Sequence, residues 1–321
     1  MNELILKDVR RAFGVRVHEI LPVSGGYLNK KWRVSTDQGE ILVKQYSHER
    51  FDRRKLRETE RALARQMILY AQGIPCPHIW KAGETIIRQP SEEIDYMVMD
   101  WIPGQSVGPD SVTLTQMESL GEACARMHAA FACLPVEGVK AYPLDERSLI
   151  GALHETYRRG TEECPTDAPE AYRVALAELS AARQRVDFSF LPQIEKSIAH
   201  EDFTPDNMLF LDSGVAAILD FDRNQYSFPL HDVGRILLSL ALTGGRMDRE
   251  RVRAFQRGYS RHKALSTEQI AEALRLVWLI EIPWWMQPGY FAGTSPKVSR
   301  FVEEMRYLSK NLSDFADGSF I

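Results

Sequence analysis

Apolar and polar positions alternate with a period of two through three early stretches. Val17 to Val23 reads as a strand with Pro22 near its end. From Lys31 to Thr36, Trp32 and Val34 alternate with Arg33 and Ser35. Glu40 to Tyr46 follows a turn at Asp37, Gln38 and Gly39. The period then changes. Leu56, Leu63, Met67 and Tyr70 recur at helical spacing between Asp52 and Tyr70, and Gly73 to Pro77 ends that helix. Ile87 to Gln89 and Tyr96 to Ile102 read as further strands. Beyond Pro103 and Gly104 helical spacing dominates, with one interruption. Met208 to Leu211 and Val215 to Leu219 are short apolar strands around a turn at Asp212, Ser213 and Gly214, which makes a hairpin. Asp232 precedes Val233, Ile236, Leu237 and Leu240 and reads as a helix N-cap that could also steady a neighbouring loop. Ile270, Leu274, Val277, Trp278 and Glu281 form a later stripe, with Ser266 and Gln269 as a capping box. The pattern predicts an α+β fold. Residues 1–103 carry an antiparallel sheet with one helix, and residues 104–321 form a larger, mainly helical part.

Composition narrows the class of protein. The 321 residues are 26% charged and 44% hydrophobic, as in ordinary globular chains. A net charge of -4 argues against nucleic acid as the main partner and supplies no basic membrane patch. No apolar run is long enough to span a bilayer, and the first eight residues lack the apolar core of a signal peptide. Cys76, Cys124, Cys133 and Cys164 show no paired or metal-binding spacing and read as reduced thiols, which points to the cytoplasm. Oligomeric state leaves no mark on the sequence.

The chemistry concentrates in His200-Glu201-Asp202-Phe203-Thr204-Pro205-Asp206-Asn207 and in Asp220-Phe221-Asp222. Asp202 can accept a proton from a hydroxyl. Asn207 opens one strand of the hairpin and Asp220 ends the other, so antiparallel pairing brings two oxygen ligands together, a set that suits Mg²⁺. His200 reads as a brace for the loop backbone. Lys44, inside the run Ile41-Leu42-Val43-Lys44, is costly to bury without an acidic partner. Glu60 lies on the apolar face of the first helix and is the expected partner, with Glu58 second. Ser24, Gly25 and Gly26 form a turn whose glycines would let backbone N–H groups approach phosphate oxygens. Near the end, Glu281, Trp284, Trp285 and Tyr290 could receive a cationic amine through charge and cation–π contact, or could equally be helix-packing core.

Taken together these residues resemble the aminoglycoside phosphotransferase and choline kinase family, the protein-kinase-like small-molecule kinases. The resemblance runs through Ser24-Gly25-Gly26, Lys44, Gly73 to Pro77, Trp101 to Gly104, Leu120 to His128, His200 to Asn207, Ile218 to Asp222 and His231 to Gly234. It implies a bilobal fold, ATP or GTP with Mg²⁺, and transfer of the γ-phosphoryl group to a hydroxyl. It further implies Asp202 as catalytic base, Asn207 and Asp220 as metal ligands and Lys44 as the phosphate-binding lysine. At the hinge, Asp100 C=O and Ile102 N–H would meet the adenine edge, with Met99 lining the pocket. Candidate acceptors are an amino sugar, an amino alcohol or a hydroxy amino acid. The alternative is a kinase-like structural or binding protein, for example of spore-coat type. The chain departs from the family at Glu201, usually Gly, and at Thr204, often His. It has no activation-loop segment after Asp222, which disfavours a protein kinase.

Overall fold

The computed structural model describes residues 1–23, 29–292 and 295–313. The turn residues Ser24, Gly25 and Gly26 lie outside the described residues. In chain order the elements are α1 (Glu3–Phe13), β1 (Val17–Pro22), β2 (Lys30–Thr36), β3 (Gly39–Tyr46), α2 (Arg53–Ala71), β4 (Ile79–Trp80), β5 (Arg88–Ser91) and β6 (Ile94–Asp100). Then follow α3 (Leu114–Ala132), α4 (Glu146–Glu162), α5 (Glu170–Arg185), β7 (Ser197–Ala199), β8 (Met208–Leu211), β9 (Gly214–Ile218) and β10 (Gln225–Ser227). The chain continues through α6 (Pro229–Ala241), β11 (Leu242–Thr243), β12 (Arg246–Met247), α7 (Arg249–Tyr259), α8 (Thr267–Trp285) and α9 (Pro296–Asn311). Two compact units result. One is Met1–Val107 with Pro205–Asn224, and the other is Gly108–Thr204 with Gln225–Ile321. The sequence pattern placed a single boundary at residue 103, whereas the β8–β9 hairpin returns to the first unit.

The first unit is built on an antiparallel sheet in the order β1-β2-β3-β6-β4, with β5 also on β6. Period-two burial along β2 and β3 splits its side chains between two faces. Trp32, Val34, Ile41, Val43, Tyr96 and Val98 pack with Ile5 and Val9 of α1. Tyr46, Met97 and Met99 pack with Leu56 and Leu63 of α2. Helix α2 begins where Asp52 accepts the Lys55 N–H at 2.7 Å, a side-chain N-cap. The expectation of one helix in this part is corrected: α1 precedes the sheet. Its Asp8 is buried and takes Arg88 and the Tyr96 hydroxyl (2.8 Å). The hairpin joins the unit through paired backbone bonds between Gln105 and Phe210, and through Ile218 N–H donating to Pro75 O.

The second unit is helical, with small β7–β10 and β11–β12 ribbons among the described residues. The predicted start and apolar stripe of α8 rest on observed chemistry. Ser266 and Gln269 form the reciprocal capping box, and Ile270, Leu274, Val277 and Trp278 are buried. At Gly121 and Gly258 helices α3 and α7 approach so closely that no side chain fits there. A Cβ on Gly258 would lie 1.8 Å from Glu118 O. Because that obstacle is backbone, Gly258→Ala forces the helices apart. We expect a loss of about 3 kcal/mol, the upper end of overpacking costs, read from urea unfolding. An unchanged midpoint would mean that the helices have room to separate.

Candidate active site

In the first unit the hairpin brings its ends together as the sequence demanded. Met208 pairs with Ile218, and the Leu219 N–H donates to Asn207 O at 2.9 Å. Asn207 is buried. Asp220 turns the chain in the left-handed region (φ 63°), one that Asp tolerates better than most residues. Here its carboxylate meets Lys44. The ammonium of Lys44 donates to Asp220 and to Asp222, each at 2.7 Å, and the side chain is 2% exposed. Burial alone would pull Lys44 down. The two carboxylates outweigh it and hold the ammonium well above its ordinary range. Burial raises Asp222, an effect partly offset by Lys44.

The expected pairing of Lys44 with Glu60 is corrected. Glu60 accepts the N–H groups of Ile86 and Ile87 at 3.1 and 3.3 Å and so holds the chain entering β5. Glu58 faces Arg54. Helical spacing placed Leu56 and Leu63 on the buried face of α2, although Tyr70 at the end of the stripe is exposed, and it could not show that Asp220 and Asp222 arrive from residues far along the chain. Lys31 was also missed. It lies directly opposite Lys44 on β2. Burial lowers its pKa, as does Lys44, while Asp220, Asp222 and Asp206 act in the opposite sense. Like charges across a strand pair are destabilising unless anions offset them. The signal was present, because the turn between Thr36 and Gly39 sets a register that puts residue 31 against residue 44. At the end of β6, Met99 is buried, and Asp100 uses its N–H on His78 O and its carboxylate on the Trp80 indole (2.6 Å). Ile102, half-buried, follows.

In the second unit, Asp202 is half-buried on the loop after β7, and its N–H donates to His200 Nδ1 at 3.2 Å. His200, fully buried against the Phe203 ring, is the expected brace. The loop hangs on Asp232. Its carboxylate accepts His200 N–H at 2.7 Å and Glu201 N–H at 2.9 Å, and it meets His128 Nε2 at 3.1 Å. His128 in turn contacts the Tyr259 hydroxyl at 2.9 Å. Burial would raise Asp232, and these donors overcome it to hold the carboxylate ionised. The N-cap assignment is corrected: α6 begins at Pro229 with Phe228 at its cap, so Asp232 lies inside the first turn, while its loop-steadying role is realised.

The late aromatic segment divides. Glu281 is no open receptor for a cation. It is paired with Arg235 (2.8 Å) and His231 (3.3 Å), and it accepts the Trp285 indole N–H at 3.1 Å. Burial pushes its carboxyl up, but Arg235 and His231 bring it down to about 2. Trp285 stacks on Phe301 with centroids 4.3 Å apart and lies 5.6 Å from Tyr290, which is helix packing. Trp284 alone stands exposed, at 62%. The sequence could not see Arg235 behind Glu281, because 46 residues separate them.

In the first unit a sheet-borne lysine is held by two aspartates that follow the hairpin Asn207 opens. Residues 19–265 match the phosphotransferase enzyme family that includes the aminoglycoside kinases, and the chain belongs to it. It is a phosphotransferase of the kind that acts on a hydroxyl. Among curated relatives, a homoserine kinase of Rhodopseudomonas palustris (strain BisB18) is 23% identical over 270 residues, covering 80% of this chain and 75% of that protein. A homoserine kinase of Hyphomonas neptunium is 29% identical over 156 residues, 48% of this chain and 44% of that protein. An amicoumacin kinase solved with AMP-PNP and Ca²⁺ shares the fold at a TM-score of 0.66 and 15% identity, covering 97% of this chain and 93% of that one. A spectinomycin phosphotransferase solved with ADP and spectinomycin does so at 0.64 and 12%, covering 100% and 99%. These likenesses agree with the expected kinase-like α+β architecture. Among the described residues no helix is long and apolar enough to cross a membrane.

Proposed function

We propose that this enzyme transfers the γ-phosphoryl group of ATP or GTP to the hydroxyl of a small hydroxy amino acid, with amino alcohols and amino sugars as the other acceptor classes. One observation carries the reading: a fully buried lysine held by two aspartates on the hairpin that also presents Asn207. The two carboxylates offset the cost of burying that charge, and a buried lysine perturbed by specific charge partners is a mark of functional sites. The donor set fits a hard divalent ion, because Asn207 and Asp220 offer oxygens at adjoining hairpin ends. Bound there, Mg²⁺ would offset negative charge on the nucleotide phosphates. Lys44 and Lys31 would supply further positive charge to the same oxygens. Asp202, five residues before Asn207 in the chain and so tethered within about 18 Å of it, would orient the acceptor hydroxyl and take its proton. Met99, Asp100 and Ile102 would receive the base. Catalysis would then rest on positioning and electrostatics.

The homoserine kinases among the relatives favour a hydroxy amino acid over an antibiotic, and Glu281, closed by Arg235, offers no acidic cradle for a polyamine. A coupled assay with L-homoserine, choline and kanamycin as acceptors tests this. The highest kcat/KM is expected for homoserine. Turnover confined to kanamycin would reject the amino acid assignment. Nucleotide binding without transfer to any acceptor would favour a binding protein.

A further inference from the structure

Three buried polar atoms without a hydrogen-bond partner gather in the second unit: Glu201 Oε1, His231 Nδ1 and Ser227 Oγ. Protein interiors leave few such atoms unpaired, and each calls for a water, an ion or a ligand. The side chains of Glu201 and His231 are 7% and 6% exposed. Glu201 Oε1 and His231 Nδ1 stand 3.7 Å apart. That is too long for a hydrogen bond. It is the separation of two ligands on one ion, subtending roughly 120–130° at metal–ligand distances of about 2.1 Å. Asp232 adds a third oxygen, and the ligand atoms of all three residues lie within 4.8 Å of one another. Behind the ring, His231 Nε2 faces Glu281 Oε1 at 3.3 Å, the carboxylate backing that orients a metal-bound imidazole.

The backbone gives an independent sign. Glu201 sits at φ 68°, left-handed, where a side chain is strained and glycine is at ease. A conformation of that kind persists only where something holds it. The Asp232 carboxylate holds its N–H, and Gln225 donates to its Oε2 at 3.2 Å. The other oxygen is the one left without a partner.

We propose that Glu201, His231 and Asp232 form a site for one divalent cation of the zinc or manganese type. It shares no residue with the Mg²⁺ ligands Asn207 and Asp220. One imidazole with two carboxylates suits such an ion better than Mg²⁺, which prefers all-oxygen shells with several waters. The ion clamps Glu201 in its left-handed conformation and thereby fixes the next residue, Asp202. The competing account is a metal-free imidazolium bridging Glu201 and Glu281. Arg235 does not fill the ion's place, since its guanidinium is spent on Glu281 and Glu304.

The full chain, stripped with EDTA and dialysed into excess Mg²⁺, is titrated with Zn²⁺ and with Mn²⁺ by calorimetry. Metal content after gel filtration is read by mass spectrometry. We expect one ion per chain, with affinity at least about tenfold weaker in Glu201→Gln and His231→Gln, and a rise in the unfolding midpoint on Zn²⁺ addition that both variants lose. Glu201→Gln keeps the shape of the side chain, so it reports even where His231→Gln folds poorly. Wild-type protein that retains no ion, or variants that bind it as tightly as wild type, would overturn the site.

Discussion

Asp202→Asn is expected to lower kcat by about 10²- to 10⁴-fold, the contribution of a positioned general base, while nucleotide affinity holds. The amide has the same shape as the carboxylate but cannot take a proton from the acceptor hydroxyl. The loop itself should survive, because its fixed points are main-chain groups. Asp232 takes the N–H groups of His200 and Glu201, and the Asp202 N–H goes to the His200 ring. Steady-state transfer rates set beside nucleotide calorimetry on the same preparation separate the two effects. A parallel loss of nucleotide binding would move Asp202 from base to donor site, and an unchanged kcat would remove it from the chemistry.

Lys44→Met should remove about 3 kcal/mol of stability in metal-free buffer, the low end of the cost of breaking a buried ion pair. The methionine fills most of the space. Asp220 and Asp222 then face each other without the ammonium that had bridged them at 2.7 Å on either side. Burial already raises Asp222, and in the variant at least one of the two should take up a proton near neutral pH. The sign of the effect follows. Asp222 is protonated more readily folded than unfolded, so the variant loses stability as pH rises, and lowering the pH restores part of it. Mg²⁺ should also restore part, since it supplies the missing charge. Urea titrations with and without Mg²⁺, at two pH values, test all three statements. A variant as stable as wild type without metal would mean that the lysine is not compensating these carboxylates. Transfer activity should fall along with stability, because the same ammonium is proposed to meet the phosphates.

The parts of this protein that were legible in the sequence are those fixed by local pattern. The alternation in β2 and β3, the glycine turn that sets their register, the Ser266–Gln269 box and the β8–β9 hairpin all depend on residues close in the chain. The meeting of Asn207 with the end of β9 followed from hairpin geometry alone. What stayed hidden was the identity of partners brought in from a distance. Lys44 is 176 residues from Asp220, and Glu281 is 46 from Arg235. A helical stripe says which way Glu60 or Glu281 points but not what waits there. Helix α1 was overlooked because its charged residues mask a short apolar face of Ile5 and Val9. Asp232 was misassigned because Pro229 starts its helix earlier than the apolar spacing suggested.

The most direct measurement is phosphorus NMR of the enzyme with ATP, Mg²⁺ and L-homoserine. A new phosphomonoester resonance should grow as the γ-phosphate signal declines. It should require both the acceptor and the metal, and it should be absent with Asp202→Asn. Growth of inorganic phosphate alone, or a spectrum that stays unchanged with every hydroxylated amine supplied, would contradict the account.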